Sequence, residues 1–145
     1  METARDILQD KGRKIHSISP DESVKEALLA MSRSNVGALL VIDKSHKVVG
    51  IFSERDYARR MIDCEKGSAE TKVREIMSSE ITAISEERTV EECMALMTKR
   101  RVRHLPVFAD NELVGVISIG DVVNAMIHQQ AIVIDQLEHY ISGSI

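Results

Sequence analysis

Two stretches of the chain carry apolar residues three and four positions apart, the spacing of one face of an α-helix. Each stretch is followed by two short apolar runs rich in Val, Ile and Leu. These runs are too short to be helices, so each pair predicts a buried β-hairpin. The helical stripes are Val24/Ala27/Leu28/Met31 and Val90/Cys93/Met94/Met97, and the runs are Gly37 to Ile42, Val48 to Phe52, Leu105 to Phe108 and Leu113 to Ile117.

Further signals precede each predicted helix. A capping box, in which a hydroxyl and a carboxylate satisfy free backbone N–H groups, begins at Ser23 and again at Thr89. A short strand is expected before each helix, at Ile15 to Ile18 and at Ile81 to Ile84. Each half of the chain is therefore predicted to fold as strand, helix, strand, strand, helix.

The two halves are copies of one repeat. The leading segments Ala4 to Leu8 and Val73 to Met77 correspond to each other. The register between the copies slips by one residue at the predicted hairpin turn, where a change of length is tolerated. Each hairpin ends in the element Gly-x-x-Ser-x-x-Asp, found at Gly50/Ser53/Asp56 and at Gly115/Ser118/Asp121.

One repeat of about 60 residues buries too little surface to be stable alone, so the two repeats are expected to share a core. The sequence thus predicts an α+β fold of two repeats related by a pseudo-twofold axis, with an extended C-terminal helix. The predicted boundaries are residues 1–66 for the first repeat, 67–71 for a linker, 72–127 for the second repeat and 128–145 for the helical extension.

Composition excludes several classes of protein. The 145 residues carry a formal charge of −4 and are 43% hydrophobic, as in an ordinary globular domain. The longest apolar run, Ala38 to Ile42, is far shorter than the ~20 residues of a membrane span. Aromatic residues make up 3% of the chain, too few for a platform that stacks single-stranded nucleic acid. The five histidines and two cysteines show no metal-binding spacing, so no metal is expected.

The N-terminus bears on the location of the protein. Residues Met1 to Asp6 lack the basic start and apolar core of a secretory signal. A cytoplasmic location is therefore expected, and with it free thiols at Cys64 and Cys93.

The Gly-x-x-Ser-x-x-Asp element lies where a buried strand ends and a helix begins. Such a junction directs free backbone N–H groups and the positive end of the helix dipole outward, which suits a phosphate or another anion. The Asp carboxylate, at the third position of the helix, could accept hydrogen bonds from two ribose hydroxyls. The alternative is a plain capping box without a ligand, and the residues alone leave both interpretations open.

The complete order of elements, repeated twice, resembles the tandem CBS domain family, named after cystathionine β-synthase. The resemblance covers residues 4 to 127, and its most specific stretches are Val48 to Asp56, Arg101 to Val107 and Leu113 to Asp121. Small stand-alone members from bacteria and plant organelles are the most similar. The resemblance implies a module with two clefts that bind adenosine-containing ligands such as AMP, ADP, ATP, NAD or S-adenosylmethionine.

Matching positions imply roles for individual residues. Ser17, on the first strand, corresponds to a polar position that meets the adenine, and its counterpart in the second repeat is Ala83, which puts that contact in doubt for the second cleft. The other implied ligand contacts are Asp56 and Asp121 to ribose hydroxyls, and Ser53 and Ser118 to phosphate or ribose oxygens.

A basic run, Lys99 to His104, stands out in an otherwise acidic chain. Such runs are commonly solvated faces or contacts to nucleic-acid phosphates. Here Arg103, His104 and Pro106 lie at the mouth of the expected cleft, where they would contact the nucleotide, and Arg103 could pair with its phosphates. The first repeat has Arg55 within its own motif instead, so the two clefts are expected to differ in anion preference. Nucleic acid is not expected as a partner.

The pattern remains helical from Asp121 to about Ile141, with Gly143 placed to end the helix. Apolar residues recur about every 3.5 positions, interrupted by Gln130, and form a heptad-like seam. We expect this seam to pair with a second copy of the chain and give a homodimer. The alternative is that the helix folds back over its own module. The seam residues are Val123, Ile127, Ile134, Leu137 and Ile141.

These features predict a regulatory module, an energy or redox sensor that binds AMP, ADP, ATP or NAD and acts in trans on another protein. The sequence has no Gly-x-Ser-x-Gly elbow, Walker loop or evident pair of catalytic carboxylates, so neither an enzyme nor a catalytic cofactor is expected. The alternative function is a structural homodimerisation module whose clefts are vestigial.

Overall fold

The computed structural model describes residues 1–142 of the chain. Its backbone forms two compact units. Residues 14–81 make up the first unit, and residues 1–13 together with those from 82 onward make up the second unit. The end of the last helix that was expected at Gly143 lies outside the described residues.

Helices and strands follow the order that the repeat predicts. In chain order the elements are α1 (Ala4–Lys11), β1 (Ser17–Ile18), α2 (Val24–Ser34), β2 (Ala38–Ile42), β3 (Val48–Ser53), α3 (Glu54–Arg60) with a following 3-10 turn (Met61–Asp63), α4 (Val73–Ile76), β4 (Ile84–Ser85), α5 (Val90–Arg100), β5 (His104–Ala109), β6 (Glu112–Ser118) and α6 (Ile119–Ser142).

The first unit is built on a three-stranded sheet in the order β1-β2-β3. Strand β1 runs parallel to β2, and β2 pairs antiparallel with β3. Helix α2 joins the two parallel strands, because parallel neighbours need a crossover connection. Its apolar stripe contributes to a core made of Val24, Ala27, Met31, Leu39, Val41, Phe52, Val73 and Ile76.

The second unit repeats this plan with the sheet order β4-β5-β6. Strand β4 runs parallel to β5, and β5 pairs antiparallel with β6. Helix α5 is the crossover, and the start of α6 covers part of the core. The core residues are Ala4, Ile7, Leu8, Ile84, Val90, Cys93, Met97, Leu105, Val107, Ile117, Val122 and Ala125.

These units confirm the α+β fold and its repeated order of strand, helix, strand, strand, helix. The strands before the helices are shorter than predicted, with two residues each. The second of them begins at Ile84, where the predicted range Ile81 to Ile84 ends. Only two residues lie alongside the neighbouring strand before the chain turns toward the helix, so the ladder is short.

The leading segment of each repeat packs in the unit that holds the strands of the other repeat. Helix α1, from the start of the first repeat, lies in the second unit, where Ala4, Ile7 and Leu8 are buried. Helix α4, from the start of the second repeat, lies in the first unit, where Val73 and Ile76 are buried. The sequence does not show this exchange, and the boundaries of the repeats along the chain remain a prediction.

The exchanged segments press on the glycine of each motif. A Cβ atom on Gly115 would lie 2.6 Å from Cδ2 of Leu8. A Cβ atom on Gly50 would lie 2.7 Å from both the sulfur of Met77 and the carbonyl oxygen of Ser78. A side chain at Gly50 would therefore displace the backbone at Ser78, whereas a side chain at Gly115 would require the Leu8 side chain to move.

Helix α6 extends well beyond the core of the second unit. Gln129 still bonds to Glu2 through a 3.1 Å contact, but residues 130–142 are all exposed. The predicted seam is uncovered in the described part of the chain, with Ile134 55% and Ile141 82% exposed, so the helix does not fold back over its own module there. None of the described helices combines the length and apolarity that a membrane crossing requires.

Alanine substitutions test the packing role of the motif glycines. We expect Gly50→Ala to lower the free energy of unfolding by about 1–3 kcal/mol, because the new methyl group meets a backbone carbonyl that cannot rotate away. Gly115→Ala should cost less, since the Leu8 methyl groups can turn aside. Gly37→Ala, where no atom lies within 4 Å of the new Cβ, is the matched control. Urea denaturation measures all three, and equal stabilities for the three variants would contradict the packing role.

Candidate functional site

The first motif joins the end of β3 to the start of α3. Ser53 is the N-cap of α3 and Asp56 is its third residue, and the two form a reciprocal capping box. Asp56 Oδ2 accepts hydrogen bonds from the Ser53 backbone N–H (2.9 Å) and hydroxyl (3.0 Å), and Ser53 Oγ accepts one from the Asp56 N–H (3.2 Å). The helix cap and the candidate ribose-binding carboxylate are therefore one and the same group.

The second motif joins β6 to α6 and contains an additional side chain. Asp121 Oδ2 accepts from the Ser118 N–H (2.8 Å), and Ser118 Oγ accepts from the Asp121 N–H (3.2 Å). Asp121 Oδ2 also accepts from Lys11 Nζ (2.7 Å), which donates a second bond to the Val116 carbonyl (3.0 Å). Because Lys11 is the last residue of α1, the leading helix completes the second motif.

A cation also stands beside the carboxylate of the first motif. Arg60 Nε lies 4.0 Å from Asp56 Oδ1, and Arg60 Nη1 donates to the carbonyls of Ile76 (3.2 Å) and Met77 (2.5 Å). In the first unit the cation is Arg60, which belongs to the motif helix α3 and donates to carbonyls of the leading segment. In the second unit the cation is Lys11, which belongs to the leading helix α1 and donates to Asp121 of the motif helix α6. Each cation ties the leading segment to the motif.

Three further candidate residues lie at the same end of the second unit's sheet. His104 opens β5 directly opposite Ser118 in the strand pairing. Arg103 is exposed, and its carbonyl accepts the first N–H of α6 at 2.8 Å, while Pro106 is buried two residues beyond His104. The structure therefore brings Arg103, His104 and Ser118 together with Asp121 at the strand-to-helix junction.

The matching junction of the first unit has different chemistry. There the carbonyl of Gly37, in the place of Arg103, accepts the first N–H of α3 at 3.1 Å. The first residue of α3 is the acidic Glu54, whereas α6 begins with the apolar Ile119. Arg55 follows on the exposed face of α3. The two junctions thus share a backbone geometry and differ in charge.

Ser17 lies on the same sheet as the first motif but on its opposite edge strand. It is exposed on β1 and in register with Leu40 of β2. Two residues earlier on β2, Ala38 is paired with Ser53. The counterpart of Ser17 in the second repeat, Ala83, is exposed just before β4 and offers no polar side chain.

Open cavities adjoin both motif helices. Lys11 and Asp121 line a cavity of about 460 Å³, to which the acidic Glu2 and Asp10 and the α6 residues Asn124 and His128 also contribute. Another cavity, of about 370 Å³, is lined in part by Glu54 at the start of α3. Both volumes lie in the range of about 300–1,000 Å³ that is typical of small-molecule sites.

Neither of the cations that accompany the motif carboxylates is evident from the amino-acid sequence. Lys11 aligns with Glu80 of the second repeat, and Arg60 aligns with Ala125, so neither residue is repeated. Aligning the two repeats reveals only the residues that both copies contain, and Lys11 and Arg60 each occur in one copy. The sequence shows that the leading segments of the two repeats correspond to each other. Which of their side chains reach the carboxylates depends on how the segments pack against the motifs.

Comparisons with known proteins agree with this architecture. A family model described as CBS domain matches residues 3–63 and 73–128. The mitochondrial CBS domain-containing protein CBSX3 of Arabidopsis thaliana is 36% identical over an alignment of 149 positions that covers 97% of this chain and 72% of that protein. The CBS domain-containing protein YhcV of Bacillus subtilis is 31% identical over 119 residues, which span 81% of this chain and 84% of that protein.

A solved structure extends the agreement to three dimensions. A protein with CBS domains from Burkholderia ambifaria, described as a candidate signal-transduction protein, is 40% identical and superposes with a TM-score of 0.83. The match covers 88% of this chain and 96% of that one. Sequence and fold therefore lead to one conclusion: the chain belongs to the CBS domain family and carries two copies of the domain.

Proposed function

We propose that this chain is a regulatory module that binds an adenine nucleotide at its Gly-x-x-Ser-x-x-Asp motifs and passes their occupancy to a partner protein. The observation that carries the proposal is the placement of Asp56 and Asp121. Each is held at the start of a helix by the backbone N–H of a serine three residues earlier. Membership of the CBS domain family supports a regulatory role over a catalytic one.

The motif chemistry suits a nucleoside phosphate. Capping occupies Oδ2 of both carboxylates, so Oδ1 retains the lone pairs that accept the hydroxyls of a ribose. The first N–H groups of the helix and its dipole favour a phosphate at the same junction. A ligand that contains both groups, such as AMP, ADP, ATP or NAD, would use both features at once.

Regulation would follow from a shift of conformational population. A ligand changes a conformational equilibrium only when it binds one conformation more tightly than another. The second site is assembled from β6, α6 and the leading helix α1, which are distant along the chain. A nucleotide that contacts these elements would favour the conformation in which α1 is packed, and a partner protein could respond to that conformation.

Replacing each motif aspartate distinguishes ligand binding from helix capping. If the carboxylate holds a ribose, Asp56→Ala or Asp121→Ala removes a charge-assisted hydrogen bond and lowers affinity for AMP about 10- to 150-fold at the altered site. Each variant should leave the other site largely functional. Isothermal titration calorimetry with AMP and with NAD measures both effects.

Glu92→Ala is the matched control for these aspartates. Glu92 closes the same kind of capping box with Thr89 on α5, so its loss should cost a similar amount of stability, about 1 kcal/mol, without lowering nucleotide affinity. Folded Asp56→Ala and Asp121→Ala proteins that bind AMP as tightly as the unsubstituted chain would reduce both motifs to helix caps.

The exposed seam of α6 favours a second function, pairing with another copy of this chain. The seam residues from Val123 to Ile141 are 38% to 82% exposed along one helix. A contiguous apolar surface of this kind marks an interaction site, unlike scattered exposed residues. Homodimerisation accounts for the seam without any partner of different chemistry.

The composition of the seam favours a second copy of this chain as its occupant. Isoleucine recurs every seven residues at Ile127, Ile134 and Ile141, and Leu137 lies between the last two, the arrangement of two-stranded coiled coils. Gln130 places an amide within the seam, where two copies could bond to each other and fix the register. Residues 122–142 include two carboxylates and no Lys or Arg, which disfavours an anionic membrane surface.

A charge placed on the seam tests the pairing. Ile134→Glu should convert a dimer into a monomer at micromolar concentration, because it would bury a carboxylate in the interface. Gln136→Glu adds the same charge on the opposite side of the helix, since two residues turn a helix by about 200°, and should leave the dimer intact. Light scattering coupled to gel filtration measures both masses. A dimer that persists in Ile134→Glu would remove the seam from the interface.

A further inference from the structure

The two motifs differ in how their carboxylates are satisfied. At the first motif the Ser53 hydroxyl donates its proton to Asp56 Oδ2 at 3.0 Å. At the second motif Lys11 Nζ donates to the corresponding oxygen of Asp121 at 2.7 Å. An ammonium therefore takes the place that a serine hydroxyl holds in the other repeat.

This replacement leaves two donors available at the second motif. The Ser118 hydroxyl accepts from the Asp121 N–H, and its own proton has no acceptor among residues 1–142. An ammonium has three N–H donors, of which Lys11 uses one for Asp121 and one for the Val116 carbonyl. A hydroxyl proton and an ammonium proton thus remain beside a single carboxylate.

The charged residues around the two motifs also differ. The first motif balances Glu54 and Asp56 against Arg55 and Arg60, and the Arg60 guanidinium already donates to two backbone carbonyls. The second motif itself contains a single carboxylate, which is paired with Lys11. Glu2 and Asp10 line the same cavity as Lys11 and Asp121. Among the described residues that line this cavity Lys11 is the only Lys or Arg, so a phosphate bound there would depend on Lys11.

We propose that Lys11 determines the specificity of the second motif by favouring a phosphorylated nucleoside over the unphosphorylated one. Lys11 neutralises Asp121 and, with the Ser118 hydroxyl, presents donors to the ligand's phosphate, while Oδ1 of Asp121 accepts the ribose. This inference rests on the proposed function and adds a residue that lies outside both motifs. It applies to the second motif alone, because Glu80 takes the aligned position for the first.

Calorimetric titration with AMP and with adenosine tests the inference. The measurements use an Asp56→Ala background, so that binding at the second motif is observed by itself. Lys11→Met should lower the affinity for AMP about 10-fold or more, because one charge-assisted hydrogen bond is lost. The affinity for adenosine should change less than about threefold. Lys11→Arg, which keeps the charge, should retain most of the preference for AMP. Lys44→Met, in the exposed β2–β3 turn, controls for the loss of one positive charge elsewhere.

The outcomes separate the inference from the function on which it rests. An unchanged ratio of AMP to adenosine affinity in Lys11→Met, or a gain of affinity for either ligand, would overturn the role of Lys11 while leaving nucleotide binding in place. If the Asp56→Ala variant with Lys11 unchanged binds neither ligand, the second motif is not a binding site. That result would also overturn the role of Lys11. Failure of the unsubstituted chain to bind either ligand would remove the proposed function as well.

Discussion

The close contact between each leading segment and a motif glycine is the constraint on which the candidate sites depend. Because Leu8 packs onto Gly115, helix α1 lies near enough to β6 and α6 for Lys11 to reach Asp121. In the first unit Met77 packs against Gly50 in the same way. The three residues that the motifs share thus have separate structural roles: the glycine leaves space for the leading segment, the serine caps the helix, and the aspartate closes the capping box.

Duplication preserved the backbone of the site and left its charge free to differ. Both helices start with the same capping geometry, and in both units a cation links the leading segment to the motif. The cation is Arg60 of the motif helix in the first unit and Lys11 of the leading helix in the second unit. The two ionic contacts therefore do not come from equivalent positions of the repeat. If both motifs bind nucleotides as proposed, these different charged residues would give the two motifs different preferences among nucleotides.

Much of the fold could be predicted because its signals are local. The stripes from Val24 and Val90 and the paired apolar runs identified the helices and hairpins, and Thr89 and Glu92 form the expected capping box. The exchange of leading segments could not be predicted, since the pattern of Ala4 to Leu8 shows that a helix has an apolar face but not which sheet it covers. Lys11 was missed for the same reason, because its partner lies 110 positions away and its counterpart is acidic.

Thermal unfolding with AMP and with GMP tests most directly whether the motifs recognise an adenine nucleotide. A ligand that binds only the folded chain adds about 2.7 kcal/mol of stability at 100-fold excess over its Kd, which raises Tm by several degrees. We expect this shift with AMP and little or none with GMP at the same concentration. Equal shifts with both nucleotides would show that the site binds phosphate without reading the base, and the absence of any shift with AMP would contradict nucleotide binding altogether.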